Sequence, residues 1–431
     1  MRASLLATVL MLTCAGACAN DATGAIYDRN PEHPWNRLYR AIATRTVDGM
    51  EYGADGAEPY FDPVDDPAKL NAVLEEFLRT NAQNRSPGSL QQALLLNDVW
   101  TAFDIAALRE AAPVQRQLAR VVERLLMPAA AIATLPDNYA QAVKSGVFAK
   151  DFDPAHPEVP FLPEDLLDSK GPWVEIGESG VGPVASSHVA EFSGRSAFRV
   201  FIRCPGGRTA TLAYLDALNL FPTPFDLGPA ATATRVATQE SVRWDPLLLS
   251  ASTPQFPEGT VVALVRQMVV IDDKFQPVPT PITQTVQLRV YRKIGGTPAA
   301  SVRADVEATQ SVYEFVLRRR DLLTGQPGGL HAMNPGEQEY RLASVPSDGS
   351  RERLLTGPVV LSTCGRCHQS RGIFSVNSYT RMLSGRTTNP QLLPSGNPDY
   401  QRAATVGWKM QQFNWGLLRG LHEGMSSRPT R

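Results

Sequence analysis

The residues of this chain best suited to chemistry stand in one short run, Cys364-Gly365-Arg366-Cys367-His368. Two thiols three residues apart project from the same side of a helical turn. From there they can add across the two vinyl groups of a haem, and the adjacent imidazole falls beneath the iron as its proximal ligand. The spacing predicts one covalently attached haem c, bound by Cys364 and Cys367, with His368 on the iron. Other chemistries remain open to the same residues. They are a Cys364–Cys367 redox disulfide, a zinc site completed by a fourth ligand, or an inert pair of buried thiols. The strand, CxxC and long helix of a thioredoxin-like setting are missing from the sequence.

Haem of this type is assembled outside the cytoplasm, so the motif calls for export, and the N-terminus reads as an export signal. Residues 1–19 form a signal peptide with a positive Arg2, an apolar run from Leu5 to Thr13, and the small residues Ala15-Gly16-Ala17 before Cys18. Cleavage after Ala17 or Ala19 suits ordinary signal peptidase. The small triplet before Cys18 also resembles the lipobox of bacterial lipoproteins, which makes Cys18 a candidate lipidation site. The expected location is the periplasm, either free or as a membrane-anchored lipoprotein. No later stretch reaches the ~18 apolar residues of a membrane helix; Val261 to Ile271 comes nearest and contains Arg266 and Gln267. Once Cys14 and Cys18 are set aside, only Cys204, Cys364 and Cys367 remain of the five cysteines. That is too few for a disulfide-stapled secreted scaffold.

The elements that must position the motif fall into an α+β multidomain order. Residues 20–150 read as a helical domain. Asp66-Pro67 is a cap and first-turn proline, and Leu70, Val73, Leu74, Phe77 and Leu78 follow at helical spacing. Leu90 to Ala107 continues as an apolar helix. Pro113 opens another, with Val114, Leu118, Val121, Val122 and Leu125 on one face. A Pro- and Asp-rich connector follows over about 150–170.

Residues 170–345 change period. Phe198, Val200 and Ile202 alternate with Arg199, Phe201 and Arg203, and Val286, Leu288 and Val290 alternate with Gln287, Arg289 and Tyr291. Val261–Ile271 and Val312–Leu317 are further β-rich runs. Gly206-Gly207 and Asp272-Asp273 supply turns, and Arg318-Arg319-Arg320 reads as a solvated strand end. This predicts a mostly antiparallel β domain, a sandwich or a curled sheet. The last region, 346–431, is loop-rich to Pro398 and then helical from Thr405 to Gly424. Trp408, Trp415 and His422 lie on one side of that helix.

Residues 346–431 resemble a c-type cytochrome domain, and Cys364-x-x-Cys367-His368 matches that family's motif in full. The resemblance covers about a fifth of the chain. It implies a mainly α haem-binding segment, iron ligation by His368, and one-electron transfer. The aromatic helix around Trp408 and Trp415 is similar to the helix that packs over the haem crevice in such domains. The sequence departs from the family just upstream, where Gly357-Pro358 breaks any helix leading into the motif. The distal ligand has several candidates: Met410, 42 residues after His368; Met382, 14 residues after it in a loop; and His331 or His422, which would give bis-His ligation. An open sixth position is the remaining arrangement.

The formal net charge of −1 gives no gross attraction to nucleic acid. From Arg351 onward, however, eleven basic residues face three acidic ones. This segment predicts a redox partner of acidic surface. Three function classes follow. The first is an exported monohaem electron carrier. The second is an envelope binding or structural protein whose CxxC is a disulfide or metal clip. The third is a haem redox enzyme with open coordination. The glycine pairs Gly206-Gly207 and Gly328-Gly329 lack the spacing of phosphate loops. His156 and His188 stand alone, Cys204 reads as a buried apolar thiol, and there is no Ser-His-Asp arrangement with a nucleophile elbow.

Overall fold

The structure, a computed structural model, describes residues 25–47, 50–53, 55, 66–177, 182–221, 252–294, 309–334, 338–345, 353–360, 368, 372–376, 392–395, 397 and 399–426. The signal segment with Cys18, the two motif thiols Cys364 and Cys367, and Met382 lie outside these residues.

The helical region begins as its sequence dictates. The helices are α1 (Pro34–Ala43), α2 (Pro67–Arg79), α3 (Ser89–Leu108), α4 (Ala112–Leu125) and the short α5 (Ala129–Ala133) and α6 (Asn138–Lys144). A small hairpin of β1 (Arg45–Val47) and β2 (Met50–Tyr52) follows α1. Asp66 caps α2 by accepting the Lys69 N–H at 3.1 Å, and Pro67 sits in the first turn, where its missing N–H costs nothing. α3 is buried on every side from Ala93 to Ala107, the pattern of a central helix rather than an amphipathic surface one.

The middle of the chain forms one antiparallel sheet. Its strands are β3 (Val174–Gly177), β4 (Ser196–Arg203), β5 (Val261–Ile271), β6 (Pro277–Tyr291), β7 (Gln310–Leu317) and β8 (Leu330–Ala332). β9 (Gln338–Val345) and β10 (Arg353–Val360) pair as a separate hairpin, and β11 (Leu393–Pro394) joins the edge of the main sheet. Among the described residues the order is β11-β3-β4-β5-β6-β7-β8. β10 contains Gly357 and Pro358, so this stretch upstream of the motif is strand and not helix.

Helices cover the sheet, and both of its faces are buried. On one side Val265, Val286, Leu288 and Phe315 join Trp35, Leu74, Trp100 and Leu118 of the helices in one continuous apolar cluster. On the other, Phe198, Val200 and Ile202 pack with Val189 of α7 (Ser186–Glu191) and Leu215 and Leu218 of α8 (Gly207–Leu220). The layering is helices, sheet, then short helices and loops, which is why the β region is one covered sheet and not two sheets face to face.

Three local expectations are corrected. Gly206-Gly207 is more than a turn: with Gly206 at φ +91° it opens α8 directly after β4. Arg319 is no solvated strand end. It is 1% exposed, and its guanidinium grips both carboxylate oxygens of Asp98 on α3 and touches the Tyr27 hydroxyl at 2.9 Å. The C-terminal helix is two helices, α9 (Tyr400–Met410) and α10 (Phe413–Ser426). At the break the Gln412 side-chain amide donates to the Trp408 carbonyl at 3.0 Å. The bend lets Lys409 reach inward to Asp104 while Trp415 inserts between Trp100 and Phe275, with ring centres 5.7 and 5.3 Å away.

Candidate functional site

His368 is held by a turn that is itself anchored in the second apolar cluster. The turn Gly372–Ser375 buries Ile373 and Phe374, and Val376 follows into the same cluster. Gly372 adopts φ +52°, and a Cβ there would stand 2.1 Å from the Gln255 Oε1. That oxygen also accepts the Ile373 N–H at 3.2 Å, so glycine is required twice over at this position. The turn brings the Ser375 carbonyl to 2.7 Å from His368 Nδ1. A carbonyl can only accept, so Nδ1 carries the proton and the lone pair of the neutral ring resides on Nε2.

Strand β6 fixes both ends of this loop through residues two apart on one face. Arg289 Nη1 donates to the His368 carbonyl at 3.3 Å, and Tyr291 Oη meets Ser375 Oγ at 2.6 Å. Ser375 Oγ also donates to the Gly372 carbonyl at 2.8 Å, which leaves the Tyr291 hydroxyl as the donor of the shared bond. Burial pushes the Tyr291 phenol above its ordinary pKa, so it keeps that proton.

This is the arrangement that iron ligation by a histidine needs. A ligating imidazole donates its far N–H to a carbonyl or carboxylate, which fixes its tautomer and aim. His368 meets that requirement through Ser375. Cys364 and Cys367 would carry the haem, and they precede this anchored histidine by four residues and one. Among the described residues no cluster of three or more His, Cys, Asp and Glu is placed to hold a metal ion, and no helix is long and apolar enough to cross a membrane.

The other candidate ligands are dispersed. Met410 ends α9 and is 44% exposed. His422 stacks on Phe275 at 4.1 Å, in the helix-side cluster and away from the turn that anchors His368. His331 lies in β8 opposite Val316, on the same sheet face as Arg289 but at the far edge. Trp408 packs against the second cluster, whereas Trp415 belongs to the helix-side cluster. Lys409, counted with the C-terminal basic charge, is wholly buried against Asp104 and adds nothing to the surface field. Cys204 is buried and free, and burial raises its thiol pKa.

Sequence reasoning passed over His188. It sits on α7 with its ring parallel to that of His368, 7° between planes and 6.3 Å between centres. A lone histidine on a six-residue helix gives no local signal, and its neighbour in space is 180 residues away in sequence. Compared with protein-family models, curated proteins and solved structures, the chain matches none.

Proposed function

We propose that this chain is an exported monohaem protein that carries single electrons through a haem attached at Cys364 and Cys367. The observation that carries the reading is the match between the motif and the setting of its histidine. His368 closes a CxxCH run and has its Nδ1 proton committed to the Ser375 carbonyl, so that Nε2 is the ligating nitrogen. A bound haem would supply a ferric–ferrous couple. The protein's part is to hold His368 in place: Arg289 and Tyr291 tie down the loop, and the buried Ile373 and Phe374 anchor it in the apolar cluster.

In this reading residues 346–431 form the c-type haem-binding region, and the helical region 20–150 and the sheet serve as the frame against which it docks. The N-terminal signal directs export: cleavage after Ala17 with lipidation of Cys18 would anchor the mature protein to a membrane, and cleavage after Ala19 would release it into the periplasm. The excess of basic residues from Arg351 onward favours an acidic electron partner, with encounter rates raised roughly 10- to 1,000-fold at low ionic strength. The test is expression in a host with c-haem maturation machinery. The protein should keep a haem stain after denaturing electrophoresis, and Cys364→Ala with Cys367→Ala should abolish it. A colourless product from a competent host sinks the reading and leaves the CxxC as a disulfide or metal clip.

A further inference from the structure

We infer that His188 is the second axial ligand, so that the haem is held between His188 of α7 and His368 of the motif. The inference rests on the haem reading above and goes beyond it, since it assigns the sixth position to a residue outside the haem-binding segment.

Three observations converge. The first is geometric. The two rings are parallel within 7° with centres 6.3 Å apart. Two imidazoles on opposite sides of one metal ion, each nitrogen about 2 Å from it, have ring centres roughly 6 Å apart. A contact stack in this same protein is much closer: His422 and Phe275 share the same 7° angle at 4.1 Å. At 6.3 Å with parallel planes, the His188–His368 pair is therefore too far apart for a contact stack and has the spacing of a metal-bridged pair.

The second observation is that each ring has an acceptor beside its Nδ1. For His368 it is the Ser375 carbonyl at 2.7 Å, and for His188 it is the Glu191 carboxylate, with Oε2 at 3.7 Å one helical turn on. Acceptors on the Nδ1 side of both rings favour Nε2 as the ligating atom of both. The Phe198 ring, 5.4 Å from His188, limits rotation of that ring away from its partner.

The third is topological. β9 lies alongside α7, and its hairpin partner β10 ends four residues before Cys364 in the sequence. Val189, next to His188, is fully buried in the cluster that also buries Ile373 and Phe374. One apolar cluster thus fixes the backbone on both sides of the proposed iron position, whereas Met410 stands exposed at the end of its helix.

The test uses the mature, haem-loaded protein. Wild type should show low-spin ferric and ferrous spectra with near-infrared magnetic circular dichroism of two nitrogen ligands, and it should resist carbon monoxide. In His188→Ala the haem stain should be retained, the spectrum should shift to high spin, carbon monoxide should bind, and added imidazole should restore the low-spin form. His188→Met guards against a folding failure of the alanine variant: it should stay low-spin and acquire a sulfur-to-iron charge-transfer band. Met410→Ala should leave every spectrum unchanged. A haem-bearing His188→Ala protein with the wild-type spectrum overturns this inference alone, as does loss of low-spin character in Met410→Ala. Protein without covalent haem overturns the haem reading and this inference with it.

Discussion

Asp104 on α3 joins three parts of the molecule, and its replacement gives a sharp stability prediction. Its Oδ2 accepts from Arg195 Nη1 at 2.5 Å, just before β4, and from Lys409 Nζ at 2.8 Å, on α9. The side chains are 1%, 6% and 0% exposed, so one buried carboxylate serves two buried cations. Arg195 is further tied to Thr101 at 2.8 Å, and Lys409 Nζ lies 4.9 Å from the centre of the Trp100 ring. Because both cations touch one oxygen, they stand at most about 5 Å apart, and at an effective dielectric of ~20 their mutual repulsion is about 3 kcal/mol.

Asp104→Asn exposes that repulsion and removes the attraction that offset it, for a loss of about 4 kcal/mol, in line with breaking other buried pairs. Lys409→Met leaves Arg195 and Asp104 paired one to one and should cost only about 1 kcal/mol, chiefly a charged hydrogen bond and the contact with Trp100. The decisive comparison is the double variant. Once Asp104 is neutral, removing the second cation should recover stability, so Lys409→Met changes sign between the two backgrounds. Urea unfolding read as a midpoint shift at constant slope measures all four proteins. Equal costs for Lys409→Met in both backgrounds, or a loss under about 1 kcal/mol for Asp104→Asn, would refute the reasoning.

Gly372→Ala puts a methyl group against Gln255 in a left-handed backbone, so it should displace the turn that holds His368 and lower covalent haem yield while the helices keep their far-ultraviolet signal. Tyr291→Phe removes one buried hydrogen bond to Ser375 and should cost about 1 kcal/mol, with a small broadening of the haem spectrum and no loss of haem. Cys204, buried with a raised thiol pKa, should resist alkylation in the folded protein at neutral pH and react once urea unfolds it; rapid labelling of the native protein contradicts the packing around β4 and α8.

Local patterns carried much of the fold. The apolar run Val261–Ile271 reads as a strand and is one, because branched side chains on both faces suit a sheet covered on both sides. Asp66-Pro67 reads as a helix start and caps α2. What the sequence hid depends on distant partners. Arg319 resembles an exposed arginine run until Asp98, 221 residues away, is seen to take its charge. The all-round apolar character of α3 gives no hint that one of the surfaces it packs against is a sheet. The break after Met410 follows from where Lys409 and Trp415 find their partners and not from any proline or glycine at the joint. At the candidate site the motif was legible because its chemistry is local. The carbonyl that orients His368 and the facing His188 were not, since loops and folding bring them there.

The most direct test of the central claim is the intact mass of the mature protein, purified from a maturation-competent host and denatured before analysis. The account predicts one haem per chain that survives denaturation and maps to the peptide containing Cys364 and Cys367. A mass equal to the bare polypeptide, or one two hydrogen atoms lighter from a Cys364–Cys367 disulfide, would contradict it.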